Sequence, residues 1–423
     1  MQAVRRLSTF SLCSKIAAHC QCRSSCSSTE RDLYEKLKFS GPISVANYMQ
    51  YGLTHPSHGY YMKRDVFGSH GDFITSPEIS QVFGELLAVW MLADWKGAGE
   101  PGNCQLVELG PGRGTLIKDM LRVFSHERLK SILNGLTIHL VEASLALSSI
   151  QQQTLTESPA STPPPNDAPP SNPYQSCRLE AHGGVEVHWY KKLEDVPRGF
   201  SYFFAHEFLD ALPIHQFQKT PSGWREVLVD IDPSSEGRLR FVVAPGPTVA
   251  STAYASLLPP THECEWCEVC PEGLVTVKEM AQRIREVGGG AALIADYGED
   301  GTKKNTLRGF KNHQLHDALE SPGSADLTAD VDFAAVRRAA LSEEVGCHGP
   351  ITQNEFLHKL GIRQRLEVLM RGANPSQARD IVSSYEMLTS PEKMGHRFKF
   401  MSLTAHPQLV PVPFFNDVTI IEQ

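Results

Sequence analysis

The feature that most constrains the fold is an apolar segment that runs directly into three closely spaced glycines. Cys104–Leu109 is typical of a buried strand, and Thr115–Val123 is typical of a helix. Between them lie Gly110, Gly112 and Gly114. Glycines permit a tight bend and allow a ligand to approach the backbone closely. A strand, a glycine turn and a helix in this order predict a parallel α/β sheet with a ligand site at its carboxyl edge.

The spacing of these glycines separates several kinds of nucleotide site. G-x-G-x-G differs from the G-x-G-x-x-G of dinucleotide sites, and no Gly-Lys-Ser/Thr follows, which excludes a Walker P-loop. An acid, Glu108, stands two positions before the first glycine. E-x-G-x-G-x-G is the pattern of the first motif of class I S-adenosylmethionine (SAM) methyltransferases. We therefore predict that SAM is bound by Glu108, Gly110, Pro111, Gly112 and Gly114.

A second carboxylate is expected at the end of the next strand, where it would accept hydrogen bonds from ribose hydroxyls. Leu136–Val141 is apolar and strand-like, and Glu142 follows it directly. The interval from Glu108 is longer than in a compact unit, so a long helix and a loop must fill it. We predict that Glu142 binds the ribose. The alternative is a solvated residue at the end of a strand.

Three polar groups follow another apolar segment, Ser201–Ala205. His206, Glu207 and Asp210 would lie at the carboxyl end of this strand, where open α/β sheets bind their ligands. We predict that these three side chains form the catalytic group. In the alternative interpretation Asp210 caps a helix and His206 bonds to the backbone.

The rest of the chain is expected to surround this core. Ser76-Pro77-Glu78 predicts the start of a helix that runs to about Trp95, and Leu53–Asp72 is expected to be a loop. Seven prolines between Pro159 and Pro173 predict a solvated, disordered insertion, because such a composition cannot bury a core. The predicted division is a transit peptide at 1–28, an N-terminal helical segment and pocket lid at 29–100, a methyltransferase core at 101–300, a C-terminal helical and substrate region at 301–405 and a tail at 406–423. Within the core we predict two insertions, the proline-rich one at 151–176 and a hairpin and substrate region at 214–270.

The first residues differ in charge from the remainder of the chain. Positions 1–29 contain no Asp or Glu but carry Arg5, Arg6, Lys15 and Arg23 among frequent Ser and Thr. An acid-poor, Arg- and Ser-rich start is typical of a mitochondrial transit peptide. The alternative is a basic tail without a targeting role.

Composition excludes several classes of protein. The formal net charge of −8 disfavours a general nucleic-acid binder. The longest apolar run, Leu86 to Leu92, is too short to span a membrane. Of ten cysteines, four lie in the predicted transit peptide, and the remaining six are too sparse for a disulfide scaffold. Cys264, Cys267 and Cys270 with His262 could be imagined around zinc, but we predict no metal.

Taken together, several segments resemble the MidA family, and within it the mitochondrial members that serve complex I assembly. The resemblance covers most of residues 40 to 403. Its segments are Gly41-Pro42-Ile43-Ser44, Gly59-Tyr60-Tyr61, 71–80, the 106–114 turn, 205–213, Ala295-Asp296-Tyr297-Gly298 and 325–333. The resemblance implies a class I, Rossmann-like SAM methyltransferase core with an N-terminal helical extension and inserted α+β elements.

The resemblance also implies a function. It implies a mitochondrial matrix enzyme that methylates, and symmetrically dimethylates, an arginine on a core hydrophilic subunit of respiratory complex I. A carboxylate beside the guanidinium can orient it and receive its proton, and Glu207 is the first candidate, followed by Asp210. Asp72, Thr75 and Glu78 are expected to line the SAM pocket or its lid, although Asp72 and Thr75 could equally serve as turn and capping residues. Asp296-Tyr297-Gly298 is expected at the substrate entrance, with a packed aromatic as the alternative for Tyr297.

Two other functions stay open at this stage. A SAM-binding assembly chaperone for complex I with little or no catalysis would need the glycine turn and Glu142, but not Glu207 or Asp210. A nicotinamide-dependent oxidoreductase is disfavoured by the glycine spacing. For the favoured enzyme we expect a protein substrate, no nucleic acid and no membrane span.

Overall fold

The computed structural model describes residues 28–63, 74–157, 173–235, 237–260, 263–301 and 304–415. The helices are α1 Ser28–Ser40, α2 Val45–Thr54, α3 Tyr60–Lys63, α4 Ser76–Ile79, α5 Gln81–Gly97, α6 Thr115–Phe124, α7 Leu145–Thr156, α8 Val249–Ala253, α9 Pro271–Val287, α10 Phe333–Leu341, α11 Gln353–Lys359, α12 Ile362–Met370 and α13 Pro375–Thr389. The strands are β1 Ile43–Ser44, β2 Cys104–Leu109, β3 Leu136–Val141, β4 Gln175–Leu179, β5 Val185–Tyr190, β6 Ser201–His206, β7 His215–Thr220, β8 Gly223–Ile231, β9 Leu239–Val243, β10 Trp266–Val269, β11 Gly290–Glu299, β12 Arg308–Lys311, β13 Gln314–His316, β14 Asp326–Thr328, β15 Val331–Asp332, β16 Gly346–Thr352 and β17 Phe398–Thr404.

A central, mainly parallel sheet organises the molecule, which confirms the predicted α/β class. Its order is β16-β17-β11-β6-β2-β3-β5-β4, with β15 beside β11. Neighbours from β5 to β11 run parallel, whereas β4, β16 and β17 run antiparallel to theirs. Leu109 pairs with both Val141 and Ala205, so β2, β3 and β6 end at one edge. The residues that follow these three strands are therefore neighbours.

Both faces of the central sheet are covered by helices. Because successive side chains of a strand point to opposite faces, Leu106 packs into one cluster and Val107 into the other. Helices α5 and α6 cover the first face, and α9 and α10 cover the second. Arg365 of α12 makes two hydrogen bonds to Glu85 of α5, at 2.6 and 2.9 Å, which ties the C-terminal helices to the first face.

A second sheet contains the predicted insertion at 214–270. Strands β7, β8 and β10 pair antiparallel, β9 pairs with β8, and the N-terminal β1 also joins β8. Leu33 of α1 and Tyr48 of α2 pack against Val229 in one buried cluster, which Leu327 of β14 also enters. The N-terminal helices are thus attached to the added sheet, and β12, β13 and β14 form a third sheet beside it.

The N-terminal segment departs from its predicted elements in two places. The helix expected from Ser76 to about Trp95 is two helices, because Ser80 adopts an extended conformation and its side chain caps α5 by accepting from Val82 N. Thr75, not Ser76, occupies the N-cap position of α4. The stretch from Leu53 to Asp72, expected to be a loop, contains α3, whose Tyr60 is buried.

The predicted insertion at 151–176 is shorter than expected. Helix α7 continues to Thr156, and β4 begins at Gln175, so both ends of the range belong to regular elements. Ser144 caps α7 by accepting from Leu147 N, and buried Leu155 holds the last turn on the core. Residues 158–172 lie outside the described residues.

The region 301–405, expected to be helical, is helical only in part. Six strands, β12 to β17, lie within it, and β15, β16 and β17 join the central sheet. The sheet of the core therefore extends beyond the predicted boundary at 300, because β17 pairs with β11 along seven residues. In the predicted tail, Phe414 is buried against Phe356.

Some predictions concern residues outside the described ranges. The predicted transit peptide, except for Ser28, lies outside the described residues, as do Asp72, His262 and the end of the tail. Within the described ranges, no helix has both the length and the apolar character needed to cross a bilayer.

Candidate active site

A cavity of about 240 Å³ lies at the edge where β2, β3 and β6 end. Ten residues that the sequence assigns to the site line this cavity: Thr75, Glu78, Glu108, Gly110, Pro111, Gly112, Glu142, His206, Glu207 and Asp210. The predicted cofactor and catalytic groups therefore share one space. Gly114 does not line it, since it sits one step back at the N-cap of α6, and Asp72 lies outside the described residues.

The glycine turn forms the floor of the cavity. Gly110, Gly112 and Gly114 all have positive φ angles, of 65°, 52° and 81°. A Cβ on Gly110 would lie 2.9 Å from the ring of Phe208, so the turn packs closely against the loop after β6. A Cβ on Gly112 would meet no atom within 4 Å. The backbone of Gly112 is therefore open for a ligand to contact.

The two strand-end carboxylates are held differently. Glu108 is buried, and its Oε2 has no hydrogen-bond partner, so burial raises its pKa to about 8. Glu142 accepts from Ser144 N at 2.7 Å and from Gln151 Nε2 at 3.0 Å. Burial raises its pKa to about 7, against the pull of these donors. Both carboxyl groups therefore titrate near neutral pH.

The loop after β6 has an unusual backbone. Glu207 adopts a φ of 47°, a left-handed conformation that costs a non-glycine residue about 1 kcal/mol. Buried Asp296 stabilises the loop, because its Oδ2 accepts from the backbone N–H groups of Phe208, Leu209 and Asp210 at 3.2, 3.0 and 3.3 Å. Strained conformations of this kind are concentrated at functional sites.

Glu207 is the most constrained carboxyl group of the cavity. Its Oε1 accepts from Ser76 N at 3.3 Å, and its buried Oε2 has no hydrogen-bond partner. Burial, and next the charge of Asp210, raise its pKa well above the usual range. The Nε2 of His206 lies 3.3 Å from Oε1 of Glu207 without a hydrogen bond. Burial lowers the pKa of His206 to about 3, so this imidazole is neutral.

Asp210 lies deeper in the same loop. Burial raises its pKa to about 6, although the Tyr297 hydroxyl and the Arg308 guanidinium act in the opposite direction. Its Oδ1 is buried without a hydrogen-bond partner. Glu207 and Asp210 thus each present a buried oxygen atom that no protein group satisfies.

The charge of the cavity is one-sided. Among the described residues that line it, six carry a carboxyl group and one, Arg113, carries a guanidinium. The carboxyl groups belong to Glu78, Glu108, Glu142, Glu207, Asp210 and Asp326. The Nη1 atom of Arg113 lies 3.9 Å from Oε1 of Glu78. A cavity with this excess of carboxyl groups favours a cationic ligand.

A known protein family has the same motifs. The family described as "Putative S-adenosyl-L-methionine-dependent methyltransferase" matches residues 86–351. The chain belongs to this family. The matched range contains the glycine turn, Glu142 and the loop after β6. It therefore includes most of the residues that line the cavity.

The alignments with two curated relatives cover most of this chain. "Protein arginine methyltransferase NDUFAF7, mitochondrial" from Danio rerio is 52% identical over 387 residues, which cover 90% of this chain and 89% of the relative. The Homo sapiens protein of the same name is 49% identical over 382 residues, covering 90% and 84%.

A solved structure has the same fold. A COG1565 superfamily protein from Burkholderia thailandensis, bound to S-adenosyl-homocysteine, superposes with a TM-score of 0.70 at 24% identity. The match covers 89% of this chain and 91% of that chain. The overall fold is therefore shared with this structure.

The cavity of this methyltransferase suits SAM. The open backbone at Gly112 permits close approach, and the partnerless Oε2 of Glu108 can accept from a ligand donor. Glu142 keeps lone pairs for ribose hydroxyls beside its two protein donors. The surrounding carboxyl groups complement a sulfonium cation.

Three site residues were missed by sequence reasoning. Tyr61 and Asp326 line the cavity, and the Tyr61 hydroxyl donates to Asp326 Oδ1 at 2.7 Å. Gln151 is fully buried and donates to Gly112 O at 2.8 Å as well as to Glu142. Tyr61 and Asp326 belong to family segments already noted, so their presence there was the available signal; Gln151 lies in a polar run that gave none.

The other sequence interpretations have mixed outcomes. Asp296, expected at the substrate entrance, does not line the cavity and instead holds the loop after β6. Tyr297 is a packed aromatic with the Arg308 guanidinium 4.7 Å from its ring centre. Thr75 makes no side-chain cap bond and lines the cavity. Within the described ranges no three His, Cys, Asp or Glu side chains are grouped so as to hold a metal, the Cys264–Cys270 run included.

Proposed function

We propose that this chain is a protein arginine methyltransferase of the mitochondrial matrix that modifies a core hydrophilic subunit of respiratory complex I. The observation that carries the proposal is the cavity that joins the glycine turn to Glu207 and Asp210. The names of the curated relatives support arginine as the residue acted on and the mitochondrion as the location. The acid-poor N-terminal sequence supports import.

The role of Glu207 follows from the chemistry of the guanidinium group. Bound SAM supplies a methyl group that is already activated on a sulfonium sulfur, so the protein mainly contributes position and electrostatics. A guanidinium is cationic and a poor nucleophile. A carboxylate can hold its planar fork and receive a proton, and the raised pKa of Glu207 increases its affinity for that proton.

Asp210 and His206 complete the proposed catalytic group. Asp210 presents a second unsatisfied oxygen, Oδ1, to the guanidinium. His206 confines the Glu207 carboxyl group at 3.3 Å, and because it is neutral it does not neutralise the charge that the substrate needs.

The proposal includes the biological outcome. We propose that the target arginine is symmetrically dimethylated and that this modification promotes complex I assembly. The family resemblance supports both the symmetry of the methylation and the role in assembly. The runner-up, a SAM-binding assembly chaperone with little or no catalysis, predicts the same cofactor half of the cavity. A loss of transfer without a loss of SAM binding distinguishes the two.

The test is methyl transfer. The chain from Ser28 onward is incubated with labelled SAM and the candidate complex I subunit, and peptide mass spectrometry locates the label. Glu207→Gln should lower the rate about 100-fold or more with SAM affinity unchanged, because it removes the proton acceptor. Glu344→Gln is the matched control, since Glu344 also has a positive φ, of 59°, but its side chain is 84% exposed. Full transfer by Glu207→Gln would contradict the assignment, and tight SAM binding without transfer by the wild type would favour the chaperone.

A further inference from the structure

Two carboxyl groups of the cavity come from outside the strand ends of the central sheet. Glu78 of α4 is one of the pocket residues already predicted, and Asp326 is the other. Asp326 begins β14 in the third sheet, and it lines the same cavity as Glu207 and Asp210. It is buried, with about 5% of its surface exposed. Nothing in the glycine motif or in the catalytic group assigned above accounts for a carboxyl group at this position.

The orientation of Asp326 is fixed from two sides. Its backbone pairs with Phe310 in the third sheet, which fixes the start of β14. The Tyr61 hydroxyl donates to Oδ1 at 2.7 Å. Tyr61 is itself anchored, because Ser144 Oγ donates to its carbonyl oxygen at 3.0 Å. The carboxyl group is therefore held in place before any ligand binds.

Asp326 also lies within electrostatic reach of the catalytic loop. The charge of Asp326 contributes to the raised pKa of Glu207, and the charges of Asp326 and Asp210 contribute to that of Tyr61. Glu207 Oε2 and Asp210 Oδ1 are buried in the same cavity without hydrogen-bond partners. Each of these two oxygens requires a donor, and a cation with several donors can satisfy both.

The shape of that cation is restricted. A guanidinium presents five N–H donors in a planar fork, whereas an ammonium is a compact point charge. Carboxyl groups supplied by the loop after β6 and by β14 approach from separate elements, so they can engage different edges of one planar group. Such an arrangement selects arginine over lysine.

We propose that Asp326, oriented by the Tyr61 hydroxyl, is a second anchor for the substrate guanidinium and determines the preference for arginine. The inference rests on the proposed function, because it takes arginine as the substrate residue. It adds a residue of the third sheet and one of the N-terminal segment to the substrate half of the cavity.

The experiment measures binding and turnover separately. The probes are N-acetyl-arginine methylamide and its lysine counterpart, titrated into the full chain saturated with S-adenosyl-homocysteine. The variants are Asp326→Asn and Tyr61→Phe. Glu320→Gln is the matched control, because it removes the same charge from an exposed side chain of the same region. Melting temperature and S-adenosyl-homocysteine affinity are measured for every variant.

The expected result is a graded loss. Asp326→Asn should weaken binding of the arginine probe about tenfold or more and raise KM for the protein substrate, because it removes a charge-assisted bond. Tyr61→Phe should weaken it about threefold, because it removes the orienting bond but leaves the Asp326 carboxyl group in place. Affinity for S-adenosyl-homocysteine should stay unchanged, and Glu320→Gln should resemble the wild type.

Several results would overturn this inference. They are equal binding of the two probes to the wild type, no binding of either, and unchanged arginine binding by a folded Asp326→Asn variant. The proposed function fails by a different result, namely the absence of label on arginine when the wild type is given the protein substrate. Labelled arginine with normal KM in Asp326→Asn would remove the anchor and leave the methyltransferase assignment intact.

Discussion

The two halves of the cavity are built in different ways. The cofactor half consists of Glu108, the glycine turn and Glu142, which follow two adjacent strands within 35 positions of the chain (108 to 142). The proposed substrate half combines Tyr61, Glu207 and Asp326, each from a different sheet or helix. A local motif is sufficient for the first half, whereas the second exists only when distant segments have folded together.

The halves also differ in how their polar groups are satisfied. In the cofactor half, Gln151 connects Gly112 and Glu142, and its Oε1 accepts from Trp189 Nε1 at 2.8 Å. In the substrate half, Glu207 and Asp210 keep buried oxygens without partners. Apart from Glu108 Oε2, the cofactor half is therefore a network completed within the protein, whereas the two catalytic carboxyl groups of the substrate half are completed by their ligand. Variants should consequently separate cofactor binding from turnover.

The largest loss of SAM affinity is expected from Gly112→Val. A branched side chain would enter the open space that faces the ligand, on a backbone whose φ of 52° disfavours it. SAM affinity, measured by calorimetry, should fall about 100-fold or more. Gly183→Val is the control, because Gly183 has a φ of 72° and equally open surroundings but does not line the cavity. Equal SAM affinity in the two variants would contradict the placement of the cofactor.

A smaller effect is expected from Gln151→Leu. The substitution keeps the volume but removes the hydrogen bonds of Gln151 to Gly112 O, Glu142 Oε2 and Trp189 Nε1, at a cost of about 1–3 kcal/mol for a buried group. Thermal unfolding should shift downward, and SAM affinity should fall about tenfold because Glu142 loses its alignment. Gln152→Leu tests the neighbouring position, whose side chain bonds only to Gln175 among the contacts described and does not line the cavity. An equal loss of SAM affinity in both variants would show that the hydrogen bonds of Gln151 do not determine SAM affinity.

The smallest effect is the dependence of SAM affinity on pH. Burial raises the pKa of Glu142 to about 7 and that of Glu108 to about 8, and a cationic ligand favours their ionised forms. Binding should release protons, and affinity should increase about three- to tenfold from pH 6 to pH 8. His206, with a pKa lowered to about 3, contributes nothing over this range. Calorimetry in two buffers of different ionisation enthalpy measures the released protons.

Glu108→Gln should remove part of that increase. A flat profile with no proton release in the wild type would show that SAM binding does not change the ionisation of either group, and would contradict this prediction. The same measurement with Glu207→Gln should retain the profile, since Glu207 belongs to the other half.

The sequence predicted the elements that are encoded locally. The bounds of β2 and β3 agree with their predicted ranges, because each is an uninterrupted apolar run bounded by turn residues. The break at Ser80 was not predicted, since proline and glutamate at the start of α4 and the apolar stripe beyond it are each compatible with one continuous helix. The serine becomes a cap only because the chain bends there.

Contacts between distant positions left no comparable pattern. The bond between Tyr61 and Asp326 spans 265 positions, and nothing local to either residue indicates the other. The pairing of β17 with β11 likewise extends the sheet with a strand from a region expected to be helical. Gln151 was assigned to the insertion because glutamine is ordinarily solvated, whereas here three polar partners make its burial favourable.

The six carboxyl groups that line the cavity also couple the stability of the fold to the ligand. A cation that enters relieves repulsion only in the folded state, so its binding adds RT ln(1 + [L]/Kd) to folding stability, about 2.7 kcal/mol at 100 times Kd. We expect the folded population, and with it resistance to proteases, to increase with the local supply of SAM. The abundance of this enzyme would thereby report the methylation capacity of its compartment.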